Sequence, residues 1–193
     1  VRRNSGAPRR AESGSQALLR GTGVLARCWL AFALEDVMKI SELMTRTVQV
    51  CRATDSLERA AGLMWDHDIG ALPVVDEHGR VIGMITDRDA CMAAYTCGGA
   101  LRDIPVEVAM AGHVVTCGAD DSGTAVAEIM AKHKIRRVPV VDAAHRLIGI
   151  LSLNDLARTM AHGRDVPATA VAGTLAAICE HRAGAPNGQH AAS

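Results

Sequence analysis

An α/β fold is predicted here, made of two copies of one β-α-β-β-α unit packed with pseudo-twofold symmetry. Three observations predict it. First, the chain repeats itself. Residues 70–90 read GALPVVDEHGRVIGMITDRDA and residues 136–156 read RRVPVVDAAHRLIGILSLNDL. The offset is 66 positions, as between Gly83 and Gly149, and it holds without a gap from Met44/Met110 to Asp89/Asp155. Second, within each copy the apolar spacing alternates between that of an amphipathic helix and that of short strands bounded by turn residues. Third, 49% of the residues are hydrophobic but only 2% aromatic, so a core of Val, Ile, Leu, Met and Ala is available. Each copy is too small for a large core of its own, and two copies are too few for a solenoid. Packing through the sheets, with clefts between the copies, is the expected solution.

The elements follow in order. Residues 1–37 are expected to form a disordered basic extension. Six arginines there face only Glu12 before Glu35, and Gly, Ser and Ala dominate the first half. Gly23–Leu34 is apolar but broken by Arg27, a poor signal-peptide core. The Val at position 1 fits a GTG start codon, with Met38 as an alternative start. Residues 38–97 are assigned to the first unit. Ile40–Met44 reads as a helical lead-in and Val48–Cys51 as a strand. Asp55 and Glu58 mark a helix start, and Leu57, Ala60, Ala61 and Met64 share one face. Ala71–Val75 and Arg80–Ile85 form a hairpin around the turn Asp76-Glu77-His78-Gly79, with Pro73 near a strand start. Thr86 opens a second helix reaching about Tyr95.

Residues 98–163 are assigned to a linker and the second unit. The copy repeats Val114–Thr116, a helix around Val126, Ala127 and Met130, strands Val138–Val141 and Arg146–Leu151, and a helix from Ser152. Residues 164–193 are read as a last helix and tail. Pro167 suits a first turn, and Val171, Leu175 and Ile178 fall on one face. The apolar faces Leu57/Ala60/Met64 and Val126/Met130 are expected to pair two chains into a homodimer.

Composition narrows the function. Formal net charge is zero, so no global field attracts polyanions. Few aromatics argue against base-stacking platforms, and neither nucleic acid nor membrane is an expected partner. No apolar run approaches the roughly 20 residues that cross a bilayer, and a cytoplasmic location is expected. The six cysteines, at 28, 51, 91, 97, 117 and 179, contain no C-x-x-C pair and no zinc-finger spacing. Buried thiols in a reducing compartment and a redox pair both remain open. No Walker loop, G-x-G-x-x-G, H-E-x-x-H or nucleophile–base motif is present, so a non-enzyme is expected.

The repeated h-P-V-V-D…G-h-h-T-x-x-D pattern on a β-α-β-β-α unit resembles the CBS domain. Two in tandem resemble a Bateman module, over about Met38 to Met160, and most nearly the small stand-alone actinobacterial members linked to stress and dormancy. The resemblance implies a regulatory, non-catalytic module that binds an adenine nucleotide or related adenosyl compound: AMP, ADP, ATP, NAD or S-adenosylmethionine. It implies a homodimer and an effector protein that the sequence does not name. A stress-associated interaction dimer without a nucleotide, or a redox-responsive one, is the alternative.

Site residues follow from the same resemblance. Thr86-x-x-Asp89 and Ser152-x-x-Asp155 cap their helices on simple grounds. In the family the hydroxyl faces a phosphate and the carboxylate accepts from ribose hydroxyls, which the helix N-terminus favours. Arg136 and Arg137 precede the second hairpin, where the first copy has Gly70 and Ala71. A guanidinium fork suits phosphate, so the cleft of Arg136, Arg137, Ser152, Asn154 and Asp155 is expected to exceed that of Gly70, Ala71, Thr86, Arg88 and Asp89. Solvated or acid-paired arginines are the plain alternative. His67 and His133 end equivalent helices, where the macrodipole favours them; no metal is expected. If the last helix packs on the first unit, Cys51 and Cys179 could approach disulfide distance.

Overall fold

The computed structural model describes residues 38–161 and 166–180. The expected extension 1–37 and the tail beyond 180 lie outside them. The described chain runs α1 (Ile40–Leu43), α2 (Leu57–Asp66), β1 (Ala71–Val75), β2 (Val81–Thr86), α3 (Asp87–Cys97), two 3₁₀ turns (Leu101–Asp103 and Val106–Val108), β3 (Cys117–Gly118), α4 (Gly123–His133), β4 (Arg137–Val141), β5 (Leu147–Ser152), α5 (Leu153–Ala161) and α6 (Ala168–Cys179).

The repeat survives at atomic detail. β1 and β2 pair antiparallel from Ala71↔Thr86, with a register shift between Val74 and Val75. β4 and β5 pair identically from Arg137↔Ser152, with the shift between Val140 and Val141. The hairpin turns meet about the pseudo-twofold. Val81 N–H donates to the His145 carbonyl at 3.3 Å, and Leu147 N–H donates to the Gly79 carbonyl at 3.0 Å. Both turn positions need a left-handed backbone, at φ 76° for Gly79 and 60° for His145. Glycine takes that conformation freely and a histidine at a cost.

Two expectations shift. The strand at Val48–Cys51 shrinks to one parallel bridge, Cys51↔Val74. The strand at Val114–Thr116 forms instead at Cys117–Gly118, beside Val140 and Val141. In the first copy Val48 and Gln49, ahead of the cysteine, line a cleft instead. α2 is capped by Ser56, whose hydroxyl accepts from Arg59 N–H at 3.2 Å, not by Asp55. Asp55 accepts instead from Arg52 N–H at 2.8 Å and closes the preceding turn.

The lead-ins cross over. Ile40 and Met44, from the start of the first repeat, are buried with Val126, Met130, Leu151 and Leu156 of the second. Thr45 exchanges backbone bonds with Ile150 at 2.9 and 3.0 Å. Reciprocally, Val106 is buried with Leu57, Leu72 and Ile85 of the first, Met110 packs against that cluster, and Ala111 exchanges backbone bonds with Met84. Each copy thus completes the other's core.

The helix faces Leu57/Ala60/Met64 and Val126/Met130 point into these cores and are buried within one chain. They supply no dimer surface, which corrects the expected use of these two faces. The last helix also departs. α6 packs on α4 and α5 of the second copy, burying Val171 and Thr174 while Leu175 stays exposed. Nearly every residue of α6 is small or apolar, so its spacing did not single out a face. Thr174 is buried because its hydroxyl donates to the Ala127 carbonyl at 3.0 Å. The Cys51–Cys179 pairing is not formed. Cys51 is buried in the first copy, Cys179 is exposed at the end of a helix on the second, and both are free thiols.

Candidate functional site

The ligand-sized cleft has a volume of about 760 Å³ and lies at the start of α5. One wall comes from the second copy: Arg137 at the head of β4, Ile150 and Ser152 at the end of β5, and Asn154, Asp155 and Arg158 on α5. The facing wall comes from the first copy: the lead-in loop with Thr45, Thr47, Val48 and Gln49, and the turn after α2 with His67, Asp68, Ile69 and Ala71. The crossover of the lead-ins is what sets the loop of residues 45–49 against the second copy. Asp68 turns the chain with φ 51°, matched at Lys134 with φ 52°.

Ser152 and Asp155 are locked to one another. Asp155 Oδ2 accepts from Ser152 N–H at 2.8 Å and from its hydroxyl at 2.6 Å, and Ser152 Oγ accepts from Asp155 N–H at 3.2 Å. This capping box satisfies the free donors at the α5 start. The remaining oxygen, Oδ1, accepts from Arg158 Nη2 at 2.5 Å. Asp155 is nearly buried, its side chain 10% exposed, while that of Arg158 is 74% exposed. The first copy repeats the box at Thr86 and Asp89, with bonds of 3.0, 2.7 and 3.2 Å.

Of the residues predicted for the second cleft, Arg137, Ser152, Asn154 and Asp155 are brought together. Arg136 is not. It is exposed and contributes its carbonyl, which accepts from Leu153 N–H at 2.9 Å and steadies the helix start. The Gly70 carbonyl makes the equivalent, longer bond to Asp87 N–H at 3.4 Å. Ala71, assigned by sequence to the first cleft, lines the cleft of the second. Gly70 makes room beside it: a Cβ there would lie 3.7 Å from Arg137 Nη2 and 3.1 Å from Asp87 Oδ2. Thr86, Arg88 and Asp89 do not line this cleft. The sequence reading missed Thr45, Thr47, His67 and Arg158. Only Arg158 left a signal, as the i,i+3 partner of an aspartate on a helix.

The cleft therefore offers apolar surface at Val48, Ile69, Ala71 and Ile150, hydroxyl and amide groups, two guanidiniums and two carboxylates. That mixture fits a flat apolar ring carrying a polar, anionic substituent. Among the described residues no group of three or more His, Cys, Asp or Glu is placed to hold a metal ion. No helix among them is long and apolar enough to cross a membrane. Desolvation at Cys117 pushes its thiol up to about 12, with the Asp121 charge adding to it. Desolvation and Asp55 push Cys51 up to about 11 against the opposing charge of Arg59.

Comparison with known proteins gives a consistent answer. The sequence pattern of the CBS domain matches residues 40–95 and 101–162. The CBS domain-containing protein YhcV of Bacillus subtilis is 37% identical over 118 residues, covering 61% of this chain and 82% of YhcV. Hypoxic response protein 1 of Mycobacterium tuberculosis is 32% identical over 143 residues, covering 72% of this chain and 92% of its own. Among solved structures, the CBS domain pair of protein MJ0100, in complex with 5′-methylthioadenosine and S-adenosyl-L-methionine, superposes with a TM-score of 0.61 at 29% identity. It covers 66% of this chain and 99% of that one.

Proposed function

The chain belongs to the CBS domain family, and from that premise we propose that it is a non-catalytic regulatory module that binds an adenosyl ligand in the cleft at the start of α5. The observation that carries this reading is the convergence of Arg137 with the Ser152–Asp155 helix start across an apolar wall from the other copy. The α5 N-terminus and Arg137 suit a phosphate, Asp155 suits a ribose diol, and Ile69, Ala71 and Ile150 suit an adenine face. The adenosyl ligands of the MJ0100 pair support the same chemical class. Ligand held by both walls would stiffen the contact between the copies, which gives binding a structural consequence.

Calorimetric titration with AMP, ADP, ATP, NAD and S-adenosylmethionine tests the reading. At least one should bind, and Asp155→Ala should weaken binding about tenfold or more, since a charged hydrogen bond contributes roughly 1.5–3 kcal/mol. Asp89→Ala should leave this cleft intact. Melting curves must accompany Asp155→Ala, because the same carboxylate caps α5. Binding lost in Asp89→Ala and retained in Asp155→Ala would move the site to the first copy. No binding of any of these compounds at millimolar concentration sinks the reading.

An interaction role is the second reading, favoured by Trp65, which is 87% exposed on α2. The second copy has Ala131 there. Light scattering of Trp65→Ala against the parent chain reads whether that surface joins two copies.

A further inference from the structure

We propose that Arg158 is a built-in competitor for the ligand's ribose, which makes this cleft selective for adenosyl compounds bearing an anionic group over uncharged ones. The inference rests on the adenosyl-binding reading above. It starts from the lone pairs of one carboxylate. Asp155 Oδ2 already takes the Ser152 N–H and O–H. Oδ1 takes Arg158 Nη2. A carboxylate offers about four acceptor positions, so a vicinal diol seeking two finds one. Binding the diol with both hydroxyls requires Arg158 to leave.

Leaving is feasible. The guanidinium end of the pair is largely exposed, so water screens the attraction and can solvate the cation once it leaves, although Asp155 itself is nearly buried. The displaced cation gains a charged partner from the ligand only where the ligand brings an anion. An uncharged nucleoside provides none, whereas a phosphorylated one brings its own anion into a cleft that Arg137 also lines. Asp68 is the opposing charge on the facing wall.

The position of the pair supports the same conclusion. Asp155 and Arg158, with Thr45, also line a neighbouring cavity of about 730 Å³, completed by Met38, Glu42, Leu43 and Thr159. The ion pair stands at the seam between the two spaces. Movement of Arg158 would join them and leave the guanidinium at the junction, while Glu42 keeps an anionic substituent from the far end. The first copy lacks this device. The position equivalent to Arg158 is Met92, which cannot pair with Asp89.

The test compares the parent chain with Arg158→Met, which installs the first copy's residue, by calorimetry against adenosine and ADP. Removing the competitor should tighten adenosine binding about two- to fivefold, the equivalent of a solvent-screened ion pair. It should weaken ADP binding about tenfold or more, the loss of a charged hydrogen bond. Arg158→Lys should retain the preference for ADP, and the opposite shifts of the two affinities in Arg158→Met are what a merely structural role for the arginine would not predict. If the parent binds and Arg158→Met changes both affinities by one factor or leaves both unchanged, the competitor role is overturned and the adenosyl site stands. If neither protein binds either compound, the site reading falls and this inference with it. Adenosine binding seen only in Arg158→Met supports both.

Discussion

Single side chains divide by what surrounds them. Cys51 and Cys117 occupy equivalent places beside their hairpins, and burial holds both thiols protonated at neutral pH. The thiolate is the reactive form, so both should be inert toward alkylation while the protein is folded. Cys91, Cys97 and Cys179 are exposed. Mass spectrometry after a short iodoacetamide pulse should find label on these three and on Cys51 or Cys117 only in denaturant. Early label on Cys117 would contradict the packing of β3. Asp76 and Asp142 behave in the opposite sense. Backbone donation from Arg80, then from His78, holds Asp76 below the usual carboxylate range. Backbone and side-chain donation from Arg146 do the same for Asp142. A carboxylate with a depressed folded value stabilises the fold above its unfolded value of about 3.9 and loses that contribution as pH falls through the folded value. Replacing both with asparagine should lower the urea midpoint at pH 6 and flatten its decline between pH 4 and the folded values. Parallel acid limbs for parent and variant would show that the turns are held by other means.

At the scale of elements, the crossover depends on two glycines. A Cβ on Gly149 would overlap the Met44 sulfur, and one on Gly83 would lie 2.6 Å from the Met110 sulfur. Each methionine belongs to the lead-in that packs on the opposite copy. Gly149→Ala should therefore destabilise by about 1–3 kcal/mol, the range for overpacking a filled core. Adding Met44→Ala should relieve the overlap, so the double variant should be more stable than the two losses summed. Additive losses in a double-mutant cycle would mean that Met44 does not seat on Gly149. These glycines show what was legible in the sequence. The 66-residue offset makes Gly83 equivalent to Gly149 and Met44 equivalent to Met110, and it marks both hairpins and both capping boxes. It could not say that Met44 seats on Gly149 and not on Gly83, because a repeat read along the chain is the same whether its lead-in folds on its own copy or on the other. The cleft was half legible for that reason. Ser152 and Asp155 come from the repeated motif and Arg137 from a place where the copies differ, whereas Thr45 and Thr47 enter through the crossover and His67 through the turn after α2. α6 failed differently: a helix that is small or apolar all round has no period from which to read a buried face.

For the whole molecule, the crossover predicts that the repeating unit of sequence is not the unit that folds. The first core, with Cys51, Leu57, Leu72, Ile85, Ile104 and Val106, is contiguous in the chain and is completed by Met110 and Ala111. The second core is not contiguous, since it takes Ile40 and Met44 from the opposite end. Lys39 reinforces the join through Asp120 at 2.8 Å. Burying two such side chains contributes about 1.5–3 kcal/mol each, a large share of the margin that a domain of this size has. A fragment of residues 112–180 should therefore be unfolded or molten by circular dichroism and amide proton dispersion. A synthetic peptide of residues 38–47, added in trans, should restore the second copy's folded spectrum at sufficient concentration. The same peptide with Ile40→Asp should not, because it would bring an unpaired carboxylate into a site that is fully buried. A well-folded fragment 112–180 on its own would show that α6 already supplies what the lead-in does. The cleft would then be a later addition to an independent unit and not a product of the crossover that builds one of its walls.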